Sequence, residues 1–212
     1  MVWNALVLIH SQDQNATAVS DYILPNCTEY NIYLQQHFGF VKSRLNSQTS
    51  LLDCIVLAKD EYRLAKNTLL KTFPNMKKTF ELKFEIRVEK VSRTWANAIH
   101  ITTGSDGSRH GDRIPGVWLN KDGHWHICTS IGIQKNHCHN SPPASLNTWT
   151  MFRIWQEQLL DGDYMYQYAI DNTTIYSVRN NIPRTFTNVK VYAADPWYSP
   201  VQGSIRNIEL CV

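Results

Sequence analysis

Several things are scarce in this chain of 212 residues, and each scarcity removes a class of function. No apolar run reaches the ~18 residues of a membrane-spanning helix, so no membrane insertion is expected. A formal charge of +3, without any run of Lys or Arg, offers no stripe along which a phosphate backbone could track. Nucleic acid is therefore not an expected partner. G-x-S-x-G, H-E-x-x-H and a phosphate-binding glycine loop are all missing, which counts against the hydrolase and nucleotide chemistries those motifs carry. Residues 2–9 are apolar but have no basic residue before them, so they make a poor secretion signal.

What is present begins with a composition of 43% hydrophobic and 18% charged residues, that of a globular chain able to bury a core. Its clearest stretch is FELKFEIRVE at residues 80–89. Phe80, Leu82, Phe84, Ile86 and Val88 alternate with Glu81, Lys83, Glu85, Arg87 and Glu89. A period of two puts the two sets on opposite faces of a pleat and predicts an antiparallel strand with one wet face. The acids and bases of that face compensate one another. Glu81, Glu85 and Glu89 are also the carboxylates a glycoside hydrolase would need. On a regular strand, however, Glu85 and Glu89 stand about 13 Å apart, beyond the roughly 5–9.5 Å that such catalysis uses.

From about residue 69 the chain reads as short strands separated by turn signals, the pattern of an all-β sandwich or barrel. NKDG at residues 120–123 and Asp161-Gly162 have turn chemistry, and Pro115 limits its strand to an edge or a first turn. Tyr164, Tyr166, Tyr168 and Ile170 share one strand face as a row expected to cover a sheet. Residues 1–68 read differently: residues 31–45 and 51–70 carry apolar positions at helical as well as extended spacings. The expectation is a small, partly helical appendage docked on a β domain at residues 69–212.

Five cysteines and three N-x-Ser/Thr sequons, at Asn15, Asn26 and Asn172, point to a secreted or extracellular setting. Asn172 lies between two strand-like runs, at an expected hairpin tip. Spacing suggests that Cys27 and Cys54 staple the appendage and that Cys128 and Cys138 bridge a hairpin, leaving Cys211 free, intermolecular, or an alternative partner for Cys27 or Cys54. The same hairpin carries two H-x-H pairs, His124/His126 and His137/His139. A zinc site needs His126 opposite His137, whereas the disulfide needs Cys128 opposite Cys138, and the two registers exclude each other. The turn at residues 132–135 favours the disulfide.

Two loops gather other candidates. GSDGSRHGDR at residues 104–113 supplies Asp106, Arg109, Asp112 and Arg113, which either pin the loop or face a ligand. DPWYSP at residues 195–200 sets Trp197 and Tyr198 on a proline-stiffened turn, where they either stack on a sugar or close the core.

The runs GDRIPGVWLNKDGHWHIC from Gly111, DPWY from Asp195 and GSIRNIEL from Gly203 resemble the concanavalin A-like, laminin G-like jelly-roll domain of invertebrate extracellular proteins, over about residues 69–212. The resemblance implies a two-sheet antiparallel sandwich with binding loops on one rim and a role in recognition rather than catalysis. It also implies a calcium ion at the rim, for which Asp106 and Asp112 would be ligands. The expected function is a non-enzymatic module binding a glycan or an extracellular protein through Arg109, Asp112, Arg113, Trp197 and Tyr198. A hydrolase on the same fold and a purely structural matrix module are the alternatives.

Overall fold

The alternation at residues 80–89 becomes an eleven-residue strand at the centre of a sheet, in a computed structural model that describes residues 52–212. The first sheet holds seven strands. They are β1 (Cys54–Ala58), β2 (Tyr62–Arg63), β4 (Phe80–Lys90), β9 (Trp149–Gln158), β10 (Tyr164–Ile170), β11 (Thr173–Asn180) and β14 (Gln202–Cys211). The second sheet also holds seven: β3 (Leu69–Met76), β5 (Ala96–Thr102), β6 (Gly116–Leu119), β7 (His124–Ile131), β8 (Gln134–Pro143), β12 (Phe186–Tyr192) and β13 (Ser199–Pro200). Pairing is antiparallel except where β13 runs parallel to β5. The described residues contain no helix.

The sheets pack face to face over one apolar core drawn from both. Phe80, Leu82, Phe84, Ile86 and Val88 of β4 all enter it. Phe84 stacks on Phe152 of β9 at 4.9 Å, and Trp125 of β7, in the other sheet, meets Phe152 edge-on at 5.1 Å. Burying each such side chain contributes about 1.5–3 kcal/mol, so this row holds the two layers together. The opposite face of β4 is charge-compensated as its sequence requires. Glu81 pairs with Lys83 and Arg153, Glu85 with Arg206 at 2.7 Å, Arg87 with Glu61 at 2.8 Å, and Glu89 with Arg63 at 2.9 Å. The tyrosine row behaves likewise, Tyr166 and Tyr168 being buried between the sheets.

Three expectations need correction. Helix was expected across residues 51–70, but β1 and β2 lie there as strands, because β14 offers them a ladder in which Ile55 opposes Leu210 and Ile205 opposes Tyr62. Short apolar runs carry no period of their own strong enough to resist such a template. The sandwich accordingly takes in residues assigned to the appendage, and its boundary precedes Leu69. Cys54, expected to bridge to Cys27, is instead bonded to Cys211, the residue directly opposite it in the β1–β14 ladder. The expected helix at residues 31–45, Cys27 and the sequons Asn15 and Asn26 lie outside the described residues. The Cys128–Cys138 bridge is formed, between directly opposed residues of β7 and β8.

Candidate functional site

The register that joins Cys128 to Cys138 also decides the histidines. It places Asn140 opposite His126, and Thr129 and Ile127 opposite His137 and His139, so the two H-x-H pairs leave the sheet on opposite faces. His137 and His139 turn toward the other sheet. Their ring nitrogens lie 2.6 Å from the Tyr176 hydroxyl and 2.7 Å from the Tyr168 hydroxyl, and His139 stacks on Tyr176 at 4.2 Å. Burial, and next the charge of His137, push the His139 pKa down. Burial, with the neighbouring Tyr176 second, pushes the Tyr168 phenol well up. The four histidines do not converge on a zinc ion.

His126 shares the outer face of β6 and β7 with Trp118, its partner in the ladder, while Val117, Leu119, Trp125 and Ile127 point into the core. The Trp118 indole lies back over Gly116: a Cβ there would come within 2.1 Å of the ring. Glycine at this position is what lets a large ring lie flat on the sheet. Over this face fold the two loops singled out in the sequence. Between them and the end of β5 is an open cleft of about 130 Å3 lined by Trp95, Arg113, Trp118, His126 and Tyr198.

The loops are held by a buried polar framework. Asp195 is fully buried and accepts the backbone N–H groups of Trp197 and Tyr198 at 2.9 and 2.8 Å, while its own N–H donates to Asn97. His100, also fully buried, has one ring nitrogen 2.8 Å from the Asp195 carboxylate and the other 2.7 Å from the Asp112 carbonyl. A single imidazole therefore fastens residues 195–198 and residues 104–113 to β5.

Arg113 donates to Asp106 at 3.1–3.2 Å and to the Asn136 side chain at 2.9 Å, and its guanidinium lies 4.6 Å from the centre of the Trp118 ring. Tyr198 meets the edge of that ring at 5.7 Å. Its phenol is pushed up, first by burial and then by its hydrogen bond to Asp106. On the other wall, Trp95 is half exposed and packs edge-on against His126 at 4.8 Å. The Trp118 Nε1 donor is buried without an acceptor.

Of the sequence-derived site residues, the structure brings Arg113 and Tyr198 to the cleft. Asp112 is buried and its carboxylate accepts the Arg109 N–H at 2.8 Å, pinning the loop, while Arg109 itself is exposed. Trp197 stands beside the cleft, its edge against His100 and Tyr192 and its surface 41% exposed. For calcium the donor set fits poorly: the Asp106 carboxylate is engaged by Arg113 and that of Asp112 by a backbone donor, and each would have to be released first.

Trp95 and Trp118 are not among the sequence-derived candidates, and His126 is among them only as a zinc ligand. The ladder of β6 against β7 sets two of them side by side, and sequence alternation alone does not say which neighbours they meet. Asn172 sits exposed at the β10–β11 tip with a positive φ of 64°.

No family model and no curated protein matches the sequence. Among solved structures the chain is similar to the receptor binding domain of botulinum neurotoxin D, with a TM-score of 0.50 and 13% identity over 77% of this chain and 45% of that one. A second structure of the serotype D binding domain gives a TM-score of 0.50 and 13% identity over 77% and 44%. A heptameric SAP-like pentraxin from Limulus polyphemus gives a TM-score of 0.45 and 11% identity over 74% of each chain. The chain spans less than half the length of the toxin domain. At such identities the likeness is one of fold alone: a two-sheet antiparallel β-sandwich.

Proposed function

We propose that this domain is an extracellular, non-catalytic recognition module that takes one ring of a glycan in the cleft formed by Trp95, Arg113, Trp118, His126 and Tyr198. The carrying observation is the open cleft itself, which brings the half-exposed Trp95 ring together with the polar groups of Arg113, His126 and Tyr198. Such groups can hydrogen-bond sugar hydroxyls while an aromatic ring covers an apolar sugar face. The aromatic walls supply apolar surface for the other face of the ring, and the cleft is small against the roughly 300–1,000 Å3 of drug-sized sites. Of the solved neighbours, the toxin domain is by its own description a receptor-binding one. Two cross-strand disulfides and an exposed Asn172 sequon support an extracellular setting.

The hydrolase reading is less well supported, because each of its glutamates is engaged in an ion pair. Glu81 and Glu85 have lowered pKa values: burial raises each, but Arg153 and Lys83 in one case, and Asn207 and Arg206 in the other, outweigh it. A general acid needs the opposite shift.

Glycan-array screening of the full chain, followed by titration of the best ligand, tests the reading. Trp95→Ala removes the exposed ring and is expected to weaken binding about tenfold at an unchanged thermal midpoint. Tyr198→Ala should weaken it as much or more. Retention unchanged in both would remove the cleft as the site.

A further inference from the structure

At the end of the sandwich where β7, β9 and β11 finish, three chain segments present aliphatic side chains to solvent. Ile133 is 80% exposed at the β7–β8 tip, Leu160 is 101% exposed at the β9–β10 tip, and Ile182 is 42% exposed just after β11. Folding gains nothing from this arrangement. It is nonetheless rigidly built, through the buried side chain of Asn180. Its Oδ1 accepts from the Gly132 N–H at 2.9 Å and the Ile182 N–H at 3.3 Å, and its Nδ2 donates to Gln156 of β9 at 2.8 Å. Arg179, next to it, pairs with Asp161 and Asp163 of the β9–β10 turn. One asparagine and one arginine thus bind the three segments to a common end.

Around these tips lie exposed bases. Lys77 and Arg184 line the small polar cleft next to Asn180 and Ile182, Lys135 follows Ile133, and Lys78 and Arg109 stand on the loops after β3 and β5 at the same end. Burial, then Arg184 and then Lys135, lower the pKa of His110 on the loop after β5. Asp161 and Asp163, the acids of the three tip segments, are both held by Arg179.

We infer that this end docks on an anionic lipid surface, with Ile133, Leu160 and Ile182 entering the headgroup boundary and Lys77, Lys135 and Arg184 resting on the headgroups. The combination selects the occupant. Exposed aliphatic tips set among exposed cations match a bilayer, whose apolar interior lies beneath its anionic surface. A sulfated polysaccharide would engage the bases and leave the aliphatics in water. A second copy docked through the same face would set the bases of one protomer against those of the other. Docking of this kind uses loop tips and requires no spanning segment.

Cosedimentation of the full chain with vesicles of phosphatidylcholine alone, or of phosphatidylcholine with phosphatidylserine, tests the inference. Binding is expected to the second kind, to weaken with salt, and to fall at least tenfold in the Ile133→Ser/Leu160→Ser variant. Lys135→Glu/Arg184→Glu should lose at least as much. All of these positions are exposed, so matched thermal midpoints will certify the fold. No sedimentation with the anionic vesicles, equal sedimentation with both kinds, or an undiminished Ile133→Ser/Leu160→Ser variant would overturn it. So would retention on heparin in place of vesicles.

Discussion

The two disulfides close loops of very different size, and this fixes the order in which their removal should weaken the fold. Cys54 and Cys211 are separated by 157 residues, and Cys128 and Cys138 by 10. Constraining the unfolded chain stabilises the folded one in proportion to the logarithm of loop length, which gives roughly 5 kcal/mol for the long loop and roughly 3 kcal/mol for the short one. The comparison is clean because each bridge joins one buried cysteine, Cys211 or Cys128, to a more exposed one, so the cavity left by alanine is similar in both. Cys54→Ala/Cys211→Ala should lower the thermal midpoint by about 10–20 °C, and Cys128→Ala/Cys138→Ala by about 6–12 °C, for a domain of this size. Guanidinium unfolding of the two variants beside the parent measures the difference directly. Equal losses, or a larger loss for the hairpin bridge, would refute the loop-entropy reasoning and mean that the unfolded chain keeps the β1–β14 end together.

Gly116→Ala should displace the Trp118 ring, which lies within 2.1 Å of the added methyl, and be seen as a shift in tryptophan fluorescence together with lost ligand binding. Stability should fall in two stages as the pH is lowered. His139 and His110 have depressed folded pKa values, so the unfolded chain binds more protons and stability drops as the pH falls below about 6.5; His139→Gln should shrink this step in a series of thermal midpoints. Glu81 and Glu85 are also depressed, so their contribution is present above about 4.5 and is lost below it. Glu85→Gln should leave ligand retention unchanged, and a chelator should leave both retention and the thermal midpoint unchanged, because Arg113 already holds the Asp106 carboxylate.

Sequence made the core more legible than the cleft, for a physical reason. In β4 apolar and charged residues alternate, so burial, face and pairing partners all follow from one pattern. The β7–β8 register was readable because two cysteines and a turn agreed on it. In β6 the sequence is GVWL, apolar on both faces, so alternation could not tell that Val117 and Leu119 enter the core while Trp118 faces the loops. Trp95 stands in a polar connection and meets His126 only because sheet order brings β5, β6 and β7 side by side. Residues 51–70 failed for a related reason: their strands exist by virtue of β14, which comes more than a hundred residues later.

The framework under the cleft shows why the loops hold one arrangement. Both nitrogens of His100 face acceptors, the Asp112 carbonyl and the Asp195 carboxylate. Both side chains, His100 and Asp195, are fully buried, so each of these contacts stands without water as an alternative partner. The remaining Asp195 oxygen is committed to the Trp197 and Tyr198 backbone, and the carbonyl belongs to the residue before Arg113. The groups that set the positions of Tyr198 and Arg113 are thus ones that cannot shift without uncovering a buried donor or acceptor. Their rigidity leaves the exposed Trp95 as the part of the cleft free to answer a ligand.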